Sequence, residues 1–67
     1  MNKYVVAIAD VFNGIVKQLI VDSESALDAA LFCMQLEGWD IDDFVGDLDQ
    51  FKKWCLAIES PISVVQL

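Results

Sequence analysis

Apolar residues gather along the chain in short blocks, and the period inside each block changes. Asn2 to Phe12 is rich in Val and Ile, Ile15 to Val21 repeats that composition, and Asn13-Gly14 separates the two. Asn-Gly between β-rich runs predicts a hairpin with a two-residue type I′ turn, because that turn needs positive φ at both central residues. Such a loop sets Phe12 opposite Ile15, Val11 opposite Val16, Asp10 opposite Lys17, Ile8 opposite Leu19 and Val6 opposite Val21. It makes Asp10 and Lys17 a cross-strand pair of opposite charge. One face of the hairpin then carries Tyr4, Val6, Ile8, Phe12, Ile15, Leu19 and Val21. The other carries Val5, Ala7, Ala9, Val11, Val16 and Ile20, with Lys3, Gln18 and Asp22 among them. A sheet with one wet face shows cleaner alternation than this. Both faces therefore read as covered, one by helix and the other by a further element, a subunit or a target.

The period then lengthens. Asp22 or Ser23 is the candidate N-cap of a helix that runs to about Glu37, with an acid in its first turn. Gly38 is placed to supply the left-handed residue of a helix stop, with Trp39 next to it. At 100° per residue Ala26, Leu27, Ala30, Leu31, Cys33 and Met34 form one arc, facing the sheet. Phe32 and Leu36 fall on the far side with Ala29, where they are either covered by another helix or left as a contact patch. Asp40 to Val45 reads as a helical turn capped by Asp40 and interrupted at Gly46. Asp47 and Gln50 have capping-box spacing, and Leu48, Phe51, Cys55 and Ile58 continue as a helical stripe. That predicts a helix over about 48–57, with Trp54 to Ile58 also readable as strand. Ser60-Pro61 ends it. Ile62 to Leu67 is short and β-branched, a third strand joining the hairpin. The order β-β-α-α-β over residues 1–67 predicts a single α+β domain, a two-layer sandwich of antiparallel hairpin and C-terminal strand packed on two helices.

Composition narrows the chemistry. Of 67 residues 57% are hydrophobic and 22% charged, which argues against disorder despite a formal net charge of −7. There is no histidine and no arginine. The commonest general base, the commonest neutral metal ligand and the bidentate phosphate clamp are all missing, so no catalytic residues and no cofactor are expected. Four lysines against eleven acids would be repelled by nucleic acid. The first apolar run, Tyr4 to Ala9, is far short of the roughly 20 residues that span a bilayer and has no signal-cleavage pattern, so a cytoplasmic protein off the membrane is expected. Cys33 and Cys55 lack zinc spacing and sit among apolar neighbours, which reads as core thiols, with a disulfide as the other option.

Six acids lie within Glu37 to Asp49: Glu37, Asp40, Asp42, Asp43, Asp47 and Asp49. They are either caps and solubilising charge or a binding surface, since carboxylates on successive turns can occupy a basic groove as phosphates do. Trp39 and Phe44 lie inside the same stretch and are candidate interface anchors. An EF-hand begun at Asp40 fails, with Gly46 one position late and Phe51 where a glutamate is required, so no metal site is expected. The partner these residues imply is a protein with a basic surface. The hydrophobic surplus also fits a homodimer, with the acids serving only solubility.

In size, charge and hairpin-first layout over the whole chain, the sequence resembles the small acidic phage-encoded inhibitors that block host nucleic-acid enzymes, including DNA-mimic anti-restriction and anti-CRISPR proteins. The resemblance implies a non-enzymatic inhibitor, with the acidic segment as its working surface, and rests on no shared motif.

Overall fold

The computed structural model describes all 67 residues in the order β1 (Asn2–Asp10), β2 (Ile15–Ser23), α1 (Ala26–Leu36), α2 (Leu48–Ala57) and β3 (Ile62–Gln66). The strands form one antiparallel sheet in the order β2-β1-β3. The helices pack on one face, as a two-layer α+β sandwich requires. No helix is long and apolar enough to cross a membrane.

The hairpin register differs from the expected one by two residues. Asp10 pairs with Ile15, Ile8 with Lys17, Val6 with Leu19 and Tyr4 with Val21. The loop is four residues long, Val11 to Gly14, because the Asp10 carboxylate captures it. Asp10 Oδ1 accepts the N–H groups of Phe12 and Asn13, and Oδ2 accepts the Asn13 side-chain amide at 2.6 Å. The Asn13 side-chain and backbone donors hold Asp10 below the ordinary carboxylate range. Only Gly14 takes positive φ, at 67°, so the type I′ turn does not form. Lys17 is thereby released from the expected pairing with Asp10 and bridges Glu37 instead, Nζ to Oε2 at 3.0 Å.

A shift of two preserves which residues share a face. Tyr4, Val6 and Ile8 are buried against the helices, with Ala29, Ala30, Cys33 and Met34 of α1 and Phe51 and Cys55 of α2. The opposite face is uncovered, contrary to the expectation that both are hidden: Val16, Ile20 and Val65 are exposed there, beside the Lys3–Asp22 ion pair at 3.2 Å.

The N-cap of α1 is Ser25, whose hydroxyl accepts the Asp28 N–H, not Asp22 or Ser23, which still belong to β2. Ala29 is fully buried rather than on the far side, since its small side chain lets the helix approach β1. No second helix covers Phe32 and Leu36; both are exposed. The end of α1 is a Schellman motif, with Trp39 N–H to Met34 O and Gly38 N–H to Gln35 O, and Gly38 at φ 94°. The same motif ends α2, with Ser60 N–H to Cys55 O and Glu59 N–H to Leu56 O, so Trp54 to Ala57 are helix. There the left-handed position holds Glu59, at φ 60°. This stop turns the chain into β3: Val11 and Ala9 donate to the carbonyls of Glu59 and Pro61, and Ser60 Oγ donates to Ala9 O.

Candidate functional site

The acidic segment is not helical before Asp47. A turn over Ile41 to Phe44, closed by Phe44 N–H to Ile41 O at 2.9 Å, replaces the helical turn expected over Asp40 to Val45. Asp40 does act on the backbone, Oδ1 accepting Asp42 N–H at 3.3 Å, but as an Asx turn rather than a helix cap. The turn goes no further because Gly46, at φ 150°, departs from helical backbone; Ile41 enters the core at 6% exposure and Phe44 is half-buried.

Aromatic contacts fasten the loop. Trp39 meets Trp54 edge to face at 5.8 Å between centroids, Trp54 stacks on Phe51 at 5.5 Å, and Phe51 meets the Phe44 edge at 5.0 Å. Such pairs contribute about 0.5–1.5 kcal/mol each beyond area burial. Trp39 and Phe44 are thus tied to α2 first and foremost; Trp39 keeps 39% of its surface exposed, Phe44 less. The loop then enters α2 through the expected capping box. Asp47 accepts Gln50 N–H at 2.9 Å, and Gln50 Oε1 accepts Asp47 N–H at 2.8 Å. Gly46, at φ 150°, leaves room for this: a Cβ there would collide with Gln50 Oε1.

The structure divides the predicted site residues into groups. Asp40, Asp43 and Phe44 surround one shallow hollow with Ile41 and Trp54. Glu37 and Trp39 line a different cleft, between the end of α1 and the hairpin, with Asp10, Asn13, Ile15 and Lys17. Asp42 is held by Gln35 Nε2 at 3.0 Å, Asp47 is occupied as a cap, and Glu37 by Lys17. Asp43 and Asp49 are exposed and make no side-chain hydrogen bond or ion pair, so their charge is entirely available to a partner. Trp54 and Gln35 belong to the region and were not singled out in the sequence. Trp54 stands three residues after Phe51, a spacing that puts the two side by side on α2; its contact with Trp39, like the Gln35–Asp42 bond, comes only through tertiary placement.

Little other chemistry is on offer. No group of three or more His, Cys, Asp or Glu side chains could hold a metal ion. Cys33 and Cys55 are free and fully buried. Burial pushes the Cys55 thiol up to about 11, and burial with the nearby Glu37 charge raises Cys33, so neither is a ready nucleophile. No family model, curated protein or solved structure matches the chain.

Proposed function

We propose that this chain is a non-enzymatic binding module that docks its acidic edge on the basic surface of a protein partner. The setting that fits its size and charge is inhibition of a nucleic-acid-processing enzyme or toxin in the cytoplasm, as the phage-encoded inhibitors do. One observation carries the reading. The carboxylates of Asp40, Asp43 and Asp49 stand on a segment whose backbone is anchored by Ile41, the Phe44–Phe51 and Trp39–Trp54 contacts and the capping box. Charges fixed in advance lose less entropy on binding than charges on a free loop, and clustered same-sign charge steers encounter. With net charge −7 the field attracts a basic partner from every approach.

The test is capture of partners from a host lysate at low and then high salt, with the native chain and with the Asp43→Asn/Asp49→Asn variant. Asp43 makes no fold contact, and Asp49 lies in the first turn of α2 where its charge favours the helix dipole, so the variant should lose no more than about 1 kcal/mol of stability. A basic nucleic-acid enzyme should be retained at low salt and released at high salt, and its association with the variant should be about tenfold slower at low salt. A partner bound equally by both chains removes the acidic edge from the interface.

A further inference from the structure

The strand β2 is a nine-residue sheet edge with no proline and no bulge. Edges of this kind are usually blunted, since their unpaired backbone groups template further strands. The other edge is blunted: β3 is five residues long and begins beside Pro61. On β2 the outward backbone groups can be assigned. Ala9 and Val11 donate to Pro61 and Glu59, and Leu67 donates to Lys3, so the odd residues of β1 turn toward β3. Alternation along an antiparallel strand then turns the even residues of β1 toward β2, where their partners are Ile15, Lys17, Leu19 and Val21. Val16, Gln18, Ile20 and Asp22 are left with N–H and C=O facing outward.

The side chains beside this edge are apolar in both layers. Ile15 and Leu19 point to the helix side yet remain 49% and 36% exposed, because α1 does not reach over them. Phe32 and Leu36, at 50% and 61%, lie on the flank of α1 turned away from Met34 and Leu31, which pack in the core. The core side of α1 meets α2, and α2 lies over β3 at the far side of the sheet. The exposed flank therefore overlooks β2, and the Lys17–Glu37 bridge ties the end of α1 to that strand. Both charges in the outer part of the strand, Lys17 and Asp22, are already neutralised, by Glu37 and Lys3. Along β2 itself a second copy therefore meets no uncompensated charge in a molecule of net charge −7; beside it, Asp28 stands unpaired on α1 one turn before Phe32.

We infer that β2 pairs antiparallel with β2 of a second copy, about a two-fold axis at Gln18, to give a continuous six-stranded sheet. This register sets Val16 against Ile20 of the second copy on the open face and Ile15 against its Val21 on the helix face. It makes Val16, Gln18 and Ile20 the hydrogen-bonded positions. Moving the axis to Lys17 opposes two lysines, and moving it to Leu19 sets Val16 against Asp22. Phe32 and Leu36 of the two α1 helices then face each other across the junction. An isologous contact of this kind closes at the dimer.

Sedimentation of the native chain from low micromolar to millimolar concentration tests this, together with amide exchange. Dimer formation should rise with concentration, and the amides of Val16, Gln18 and Ile20 should become protected in step with it. In Gln18→Pro the lost N–H is an outward one, so the ladder to β1 survives; self-association should weaken at least about tenfold, since two symmetry-related bonds go. Ile20→Glu, which alters no backbone group, should weaken it likewise and stands in if the proline variant loses its far-UV circular dichroism. A native chain still monomeric at millimolar concentration overturns the inference, as does a dimer indifferent to both substitutions. Protection of the β2 amides only when a foreign protein is added assigns the edge to that protein, and overturns it too. Salt separates this contact from the acidic edge: raising it should loosen a basic partner and leave the β2 dimer as strong or stronger.

Discussion

The strands β1 and β2 are equally long, similarly apolar and paired residue for residue, yet their fates are opposite. Tyr4, Val6 and Ile8 of β1 are buried, whereas their ladder partners Val21, Leu19 and Lys17 are half-buried or exposed on the same face. The difference is not in the side chains. After α2 the Glu59 stop returns the chain along the free side of β1, making it the central strand, and α2 lies over β3. Burial in this molecule is decided by where the last third of the chain lands, and β2 is left as surface.

The largest expected effect lies on the buried strand. Ile8→Ala removes a side chain packed in the core and should cost about 2–5 kcal/mol in urea unfolding, enough to unfold much of a chain this small. A cost below about 1 kcal/mol would mean that β1 is no better covered than β2.

Alkaline titration examines the same core from beneath. Burial raises the Cys55 thiol from 9.0 to about 11, and Cys33 moves in the same direction. Above the lower value the unfolded chain sheds thiol protons that the folded chain keeps, so stability is full below pH 9 and falls as pH rises through about 11. Thermal melts across that window should show the decline, and Cys55→Val should flatten part of it. An unchanged slope in the variant would show that water reaches the thiol.

Smaller effects belong to the ends of α2, the helix that lies over β3. Asp47→Ala deletes one half of the capping box and should cost about 1–2 kcal/mol, while Asp47→Asn, still a capping residue, should cost much less. At the other end Glu59→Gly should raise the melting temperature, by about 1 kcal/mol of stability, because a left-handed φ of 60° strains a residue with a Cβ and suits glycine. A destabilised glycine variant would show that the Glu59 side chain does more than occupy the turn.

How much of this was legible follows the range of the interaction. The capping box, the Gly38 stop and the face assignments of the hairpin depend on neighbours within a few residues, and they stand as the pattern predicts. The hairpin register departs from the Asn-Gly expectation because Asp10 competes for the amides of Phe12 and Asn13, local chemistry that outweighs the turn signal. The turn after Asp40 is cut short at Gly46, a local feature that the pattern carries, whereas the cover expected over Phe32 and Leu36 is absent because α2 packs elsewhere. The second is decided by tertiary placement, which no local pattern carries. In the acidic edge, the capping role of Asp47 was readable, whereas the Gln35–Asp42 and Lys17–Glu37 contacts join residues whose proximity exists only in the fold. The two carboxylates left without partners, Asp43 and Asp49, could be told from the other four only once those contacts were placed.

The smallest effect sharpens the contrast between the strands most. Ile20 lies on the open face of β2, opposite Val5, and is largely exposed. Ile20→Thr keeps the branching at Cβ that suits a strand and removes apolar surface that the folded chain does not bury. Measured by urea unfolding on dilute protein, it should change stability by less than about 0.5 kcal/mol, while Val6→Ala on β1 should cost several times more. If both cost alike at low concentration, the open face is covered within one chain and the asymmetry between the strands disappears. If Ile20→Thr is silent when dilute but costly when concentrated, the apolar surface of β2 contributes only when a second strand lies against it.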